Sequence, residues 1–332
     1  MSGPVGPRLS LFVASRLLEP VEAELASAFE TVFAESADPL AELAELARSG
    51  GAPDAILVSL DRPMGVEAIE ALPRSVRALA TYSVGTDHLD LEAAAARELA
   101  VFNTPGVLSD SVAENAIFLM LGAARRASES IELIRSRRWT GWTPTQLVGV
   151  ELAGKRLGIL GLGDIGGRVA TRAQALGMEV AYCNRRPLLD DDPMLASFRV
   201  MPEFRATAEE LVGDCDVLLL ACPSTAETRG IVDAALLAKA CPGLILVNIA
   251  RGDLVVDAAL IDALRSGTVR AAGLDVFAGE PKLDPAYYDL PNVFMLPHIG
   301  SSTIEARLRM GRILIDALRS WSQGGTPPNR VV

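Results

Sequence analysis

The chain has 332 residues, half of them hydrophobic, and a formal charge of −11 at pH 7. That length exceeds one ordinary hydrophobic core and predicts two domains. The acidic balance argues against a nucleic-acid partner, whose phosphates need a basic face, and against an anionic membrane surface, which leaves a small molecule as the natural ligand.

Apolar runs such as 116–124 and 217–222 fall short of the ~18 residues that a membrane-spanning helix needs. Met1 to Arg8 leads straight into the apolar stretch 9–13 without a charged region ahead of a long apolar core, so no secretion signal is expected. Cys183, Cys215, Cys222 and Cys241 lie in or beside apolar runs with no C-x-x-C pair, which fits reduced thiols in a cytoplasm rather than zinc ligands or disulfides.

In chain order, 11–14, 55–59, 78–82 and 101–102 read as strands, and 19–29, 39–48, 66–72 and 91–99 carry the 3.6-residue periodicity of helices. This alternation predicts a parallel sheet and a complete small α/β domain. Ser111-Val112-Ala113-Glu114 has the form of a capping box and opens a long amphipathic helix to about 137, a length suited to bridging domains. Arg135, Arg137 and Arg138 at its end superficially suggest an RNA patch, but they complement the negative C-terminal helix dipole. A segment with Trp, Pro and Gly at 139–149 then leads to strands at 157–160, 179–183, 217–221, 244–249, 272–276 and 293–296, the six of a dinucleotide-binding fold. The last helix, 303–321, finds no sheet partner left there and is expected to return to the first domain. The Gly- and Pro-rich tail 324–332 reads as loosely held. Asp190, Asp191 and Asp192 read as a solvated loop, because three consecutive carboxylates converge poorly on one metal ion.

Gly161, Gly163 and Gly166 form a G-x-G-x-x-G turn that follows a strand and starts a helix. The first glycine permits the tight turn, the second lets backbone approach a pyrophosphate, and the third lets the helix pack on the sheet. The helix N-terminus then offers free N–H groups to phosphate. Eighteen residues after the last glycine, where an Asp or Glu would bind the ribose 2′-hydroxyl of NAD, stands Asn184, followed by Arg185 and Arg186. A carboxylate would repel a 2′-phosphate, whereas arginines form charge-assisted contacts with one. NADP(H) is therefore the expected cofactor, with NAD(H) the alternative.

Of the two histidines, His298 lies just past a predicted strand end, as do Arg251, Asp275 and Glu280. Strand C-termini are where parallel α/β folds bind ligands. With Tyr82-Ser83-Val84-Gly85-Thr86-Asp87-His88-Leu89-Asp90 and Asn103-Thr104-Pro105-Gly106, these motifs make the chain resemble the D-isomer-specific 2-hydroxyacid dehydrogenase family over nearly its whole length. The resemblance implies that His298 donates the proton to the substrate carbonyl, that Glu280 pairs with the other ring nitrogen, and that Arg251 clamps the 2-oxo acid. A carboxylate beside an imidazole favours its protonated form, which the reduction needs. The resemblance further implies that Val84 and Gly85 bind the substrate carboxylate through their N–H groups, and that Asp275 holds the nicotinamide carboxamide. It also assigns cofactor contacts to Asp164, Ile165, Pro223, Ala250, His298 and Gly300. His88 reads as local structure.

The implied architecture is two doubly wound parallel-sheet α/β domains, with a Rossmann nucleotide-binding domain at 104–298 inserted into a flavodoxin-like substrate domain at 1–103 and 299–332. Residues 141–149, together with Arg185 and Arg186, are similar to the NADPH-dependent glyoxylate/hydroxypyruvate reductase branch. Trp139 or Trp142 would then reach a neighbouring subunit's pocket or anchor a homodimer interface. Other 2-hydroxy acids, such as D-lactate or 3-phosphoglycerate, stay open as substrates. A nucleotide-sensing corepressor-like binding protein is the competitor from another class, and the short flanks of the chain weigh against it.

Overall fold

The computed structural model describes residues 8–332; Met1 to Pro7 of the N-terminal reading lie outside the described residues. The chain divides into two compact units, one running up to Leu108 and resuming at Ser302–Val332, the other Ser109–Ser301. These limits differ by a few residues from those expected at 103/104 and 298/299, and hydrogen bonds explain the difference. Thr104 N–H donates to Ser83 O and Arg309 Nε to Val107 O, each at 2.9 Å, which ties 104–108 to the first unit. The amides of Ile299 and Gly300 donate to Asp275, which keeps them in the second.

In the first unit, β1 (Ser10–Val13), β2 (Glu30–Phe33), β3 (Ala55–Val58), β4 (Ala78–Thr81) and β5 (Ala100–Phe102) form a parallel sheet in the order β2-β1-β3-β4-β5. That is the flavodoxin-like order. Every residue of β3 and β4 is buried, as expected of central strands with both faces covered. Helices α1 (Glu19–Ala28), α2 (Pro39–Arg48), α3 (Val66–Ala71) and α4 (Leu91–Ala96) connect them. Asp38 and Asp90 cap α2 and α4 by accepting from Ala41 and Ala93 N–H. Strand β2 is a correction to the four strands expected. It is an edge strand whose residues alternate between exposed and half-buried, so it carries no apolar run.

The second unit opens with α5 (Ser109–Ala124) and α6 (Ala127–Arg135), two helices where one was expected. Arg126 adopts a left-handed φ of 57°, and Val150 N–H takes the Ala124 carbonyl, so the helix ends there. Ser111 does not cap: it lies inside α5 and its hydroxyl donates to Gly300 O at 2.6 Å. Strands β6 (Arg156–Leu160), β7 (Glu179–Cys183), β8 (Glu203–Arg205), β9 (Val217–Leu220), β10 (Leu244–Asn248), β11 (Val269–Leu274) and β12 (Val293–Met295) form a parallel sheet in the order β12-β11-β10-β9-β6-β7-β8. Seven strands replace the expected six, because the short, charged edge strand β8 gives no apolar signal. The remaining helices are α7 (Asp164–Ala175), α8 (Ala208–Val212), α9 (Ala234–Leu237) and α10 (Asp257–Ser266). The sheet order reverses direction at β6 and β9, and such switch points are where doubly wound sheets bind ligands.

The chain ends in the first unit with α11 (Ile304–Ser322), capped by the Thr303 hydroxyl accepting from Ala306 N–H. It packs on α1, with Arg312 to Glu24 at 2.9 Å, and Trp321 meets Phe102 of β5 edge to face. The tail is not loosely held, contrary to its composition. Val331 N–H donates to Val101 O at 2.7 Å, and Asn329, 5% exposed, donates through Nδ2 to Asn103 O at 2.7 Å. The tail thereby supplies partners to the open edge of β5, whose backbone groups would otherwise lack them. Among the described residues no helix is long and apolar enough to cross a membrane.

Candidate active site

The glycine turn joins β6 to α7. Gly161 has φ +101°, and a Cβ there would lie 2.6 Å from Cys222 N, so both conformation and close approach require glycine. A Cβ on Gly166 would lie 2.4 Å from Gly161 O. Gly163 differs: its φ is −100° and a Cβ would meet nothing within 4 Å. The fold itself does not need glycine at 163, which leaves open space beside this backbone. Gly163 provides no side-chain cap to α7. The first-turn amides of Asp164, Ile165 and Gly166 therefore lack intrahelical carbonyls and remain free for an anion. Asp164, the one acidic group there, is engaged by the Ser109 hydroxyl and by Arg168 Nε at 3.0 Å. These features fit a dinucleotide pyrophosphate.

Asn184, just past β7, closes on the turn: Leu162 N–H donates to its Oδ1 at 2.7 Å and its Nδ2 donates to Leu162 O at 3.2 Å. Arg185 and Arg186 follow as exposed residues. Pro223 begins the exposed loop after β9, where its carbonyl accepts from the Thr228 hydroxyl. Ala250 follows β10, its N–H donating to Asn248 Oδ1 at 3.0 Å.

Arg251, Asp275, Glu280 and His298 all follow the C-terminal ends of β10, β11 and β12. Asn248, fully buried, orients Arg251 by donating from Nδ2 to its carbonyl at 2.8 Å. His298 Nδ1 lies 2.5 Å from Glu280 Oε1, and Glu280 Oε2 accepts from Phe277 N–H at 3.1 Å. Burial raises the Glu280 carboxyl, but its bond to His298, the His298 charge, the Phe277 amide and the Arg251 cation together hold it below the usual range. The two side chains are 31% and 37% exposed, accessible enough to exchange a proton with a bound molecule.

His298 has a left-handed φ of 54°, strained for a residue with a Cβ. Asp275 sustains that conformation. Its carbonyl accepts from His298 N–H, and its two carboxylate oxygens accept from Ile299 and Gly300 N–H, all at 2.8 Å. Burial, at 1% exposure, raises the Asp275 carboxyl despite those two amides. Together with the Ser111 bond to Gly300 O, this fixes the histidine loop from two sides. Asn248 and Ser111 brace the loops that carry Arg251 and His298, and sequence reasoning missed both contacts. The only signal for Asn248 was a polar residue closing an apolar strand immediately before Ile249-Ala250-Arg251.

In the first unit, the loop after β4 has its carbonyls fixed and its amides open. The Ser83 hydroxyl donates to Gly85 O at 2.7 Å, and Asn103 Nδ2 donates to Val84 O at 2.8 Å. Among the described residues nothing accepts from the N–H of Val84 or Gly85. His88 is held by Thr81, with Oγ1 and Nε2 2.9 Å apart.

Residues 117–300 match the family model described as D-isomer specific 2-hydroxyacid dehydrogenase, NAD binding domain. The glycerate dehydrogenase of Hyphomicrobium methylovorum is 40% identical over 302 residues, 90% of this chain and 92% of that protein. The glyoxylate reductase of Pyrococcus furiosus is 38% identical over 282 residues, 84% of this chain and 82% of that one. The solved structure of an NADPH-dependent glyoxylate/hydroxypyruvate reductase from Sinorhizobium meliloti, in complex with NADP and malonate, superposes with a TM-score of 0.84 at 33% identity, covering 98% of this chain and 97% of that chain. Likeness that runs the length of these relatives, over a family model that extends from α5 past the glycine turn to Gly300, makes this chain a member of the D-isomer specific 2-hydroxyacid dehydrogenase family.

Proposed function

We propose that the chain reduces glyoxylate and hydroxypyruvate to glycolate and D-glycerate with NADPH. The observation that carries the chemistry is the 2.5 Å pairing of His298 with Glu280 beside Arg251. A reduced nicotinamide, when bound, supplies the hydride. Arg251 grips the carboxylate and carbonyl oxygen of the 2-oxo acid and stabilises the negative charge that develops on that oxygen. His298 donates its proton to the same oxygen, and Glu280 holds the ring in orientation. Val84 and Gly85 offer their open N–H groups to the substrate carboxylate. Asp275 positions the histidine loop and, as the resemblance implies, the nicotinamide carboxamide. The pyrophosphate takes the amides at the start of α7, with Pro223, Ala250 and Gly300 flanking the cofactor.

The names of the two relatives and of the Sinorhizobium reductase support the substrate assignment. The cofactor preference rests on position 184. Asn184 presents no carboxylate to a 2′-phosphate, and the exposed Arg185 and Arg186 can donate to one. Absorbance at the nicotinamide band, followed with glyoxylate and hydroxypyruvate, tests both parts. NADPH should give the higher kcat/KM. Equal values or an NADH preference remove the cofactor assignment, and no turnover with any small 2-oxo acid returns the chain to a nucleotide-sensing role.

A further inference from the structure

Arg307 stands in the first turn of α11, half-buried, in the same unit as the Val84–Gly85 loop. Its guanidinium lies over the Tyr82 ring, Cζ 5.8 Å from the centroid, and Nη2 donates to the Ser302 hydroxyl at 3.1 Å. The Tyr82 hydroxyl in turn donates to the Arg307 carbonyl. Among the described residues no carboxylate lies within 4.0 Å of this guanidinium. Three other partly buried arginines are paired with carboxylates, Arg126 with Glu129, Arg156 with Asp214 and Glu179, and Arg172 with Asp110, while half-buried Arg97 donates to the carbonyls of Ile69, Leu72 and Pro73.

A cation withdrawn from water is stable when opposite charge or acceptor oxygens replace its hydration. Arg307 has one ring face and one hydroxyl in that role. Burial accordingly pulls its pKa down, against the ordinary behaviour of arginine. Five N–H donors in a planar fork remain mostly uncommitted. The place matters as much as the charge. Tyr82 immediately precedes Ser83-Val84-Gly85, and Ser302 stands four residues beyond His298 along the chain. An acceptor beside the carboxylate-binding amides would therefore satisfy this side chain.

We propose that Arg307 is a specificity-determining residue whose guanidinium donates to an oxygen carried on C3 of the 2-oxo acid, either a hydroxyl or a second carboxylate. This rests on the reading above that Val84 and Gly85 hold the substrate carboxylate. Hydroxypyruvate carries such an oxygen, pyruvate has a methyl group in its place, and glyoxylate has no third carbon. A site that hydrogen-bonds a substrate oxygen rejects the analogue lacking it far more strongly than an apolar pocket does.

The test is the ratio of kcat/KM for hydroxypyruvate over pyruvate, measured with saturating NADPH for the wild type, Arg307→Met and Arg307→Lys. The methionine variant should lower that ratio at least ~10-fold, and the lysine variant should recover part of it, because loss of a charge-assisted hydrogen bond is felt only by the substrate that makes it. Oxaloacetate against hydroxypyruvate in the same series shows whether carboxylate or hydroxyl is preferred. Should Arg307→Met not fold, Arg307→Gln reads the same ratio. A ratio unchanged within threefold, with both substrates losing activity equally, overturns the proposal and leaves Arg307 as a brace for Tyr82. A wild type that turns over none of these acids sinks the functional reading and this inference with it.

Discussion

The pairing of His298 with Glu280 concentrates the site's chemistry in two side chains, and each makes a different prediction. Replacing His298 with Gln removes the proton donor and should cut kcat for reduction by ~10²-fold or more, while the glycine turn keeps its affinity for the dinucleotide. Replacing Glu280 with Gln preserves size but removes the negative charge 2.5 Å from Nδ1. The imidazole then loses the carboxylate that orients it, so kcat for reduction should fall by ~10-fold or more, and an unchanged kcat would refute the pairing's role. The same substitution has a signature in stability. Glu280 has a folded-state pKa below its ordinary value of 4.5, so its ionised form contributes stability that is fully present above that value. That contribution is lost as pH falls through the depressed folded value. Urea midpoints of wild type and Glu280→Gln should therefore differ near neutrality and converge on acidification. Divergence toward low pH would mean that the carboxylate is not the stabilised form.

At the level of elements, the sequence reveals what apolar periodicity controls and conceals what edges and long-range hydrogen bonds control. Strands β3, β4, β9 and β10 are continuous buried runs and are visible at once. Strands β2 and β8 are edge strands of mixed polarity, and local pattern gives them no signal. The glycine turn that joins β6 to α7 and the approach of Glu280 to His298 were legible from the motifs and their order. The role of Ser111 was not, since a hydrogen bond to a carbonyl 189 residues away leaves no trace in spacing. The tail is the clearest failure of composition: glycine and proline suggested slack, yet Asn329 braces Asn103, which in turn holds Val84 O. Replacing Asn329 with Ala leaves the half-buried Asn103 carbonyl without its donor, a loss of about 0.5–1.5 kcal/mol. Chemical denaturation should show that loss, and KM for the 2-oxo acid should rise more than kcat falls, because the Val84 loop loses its support. An unaltered denaturation midpoint would restore the loosely held tail.

For the molecule as a whole, the exposed apolar side chains of the second unit lead us to propose a homodimer. No residue of α6 is buried, and Ile134, 57% exposed, joins Phe118, Trp139, Trp142 and Val148 among the exposed large apolar side chains of 118–148. An acidic monomer has little reason to leave such residues in water, and clustered exposed apolar residues mark contact surfaces. A second copy is the simplest occupant, because a twofold interface needs only one self-complementary patch. Sedimentation should give twice the chain mass of 35.1 kDa, and Phe118→Glu combined with Ile134→Glu should return the single-chain mass. A wild type that sediments as one chain at micromolar concentration would refute the dimer. Trp142, 79% exposed, then separates the two roles open to it. If Trp142→Ala stays dimeric but raises KM for hydroxypyruvate, the indole reaches into the partner's substrate pocket. If the variant dissociates, Trp142 is an anchor of the interface, and its effect on turnover should match that of the charged double variant.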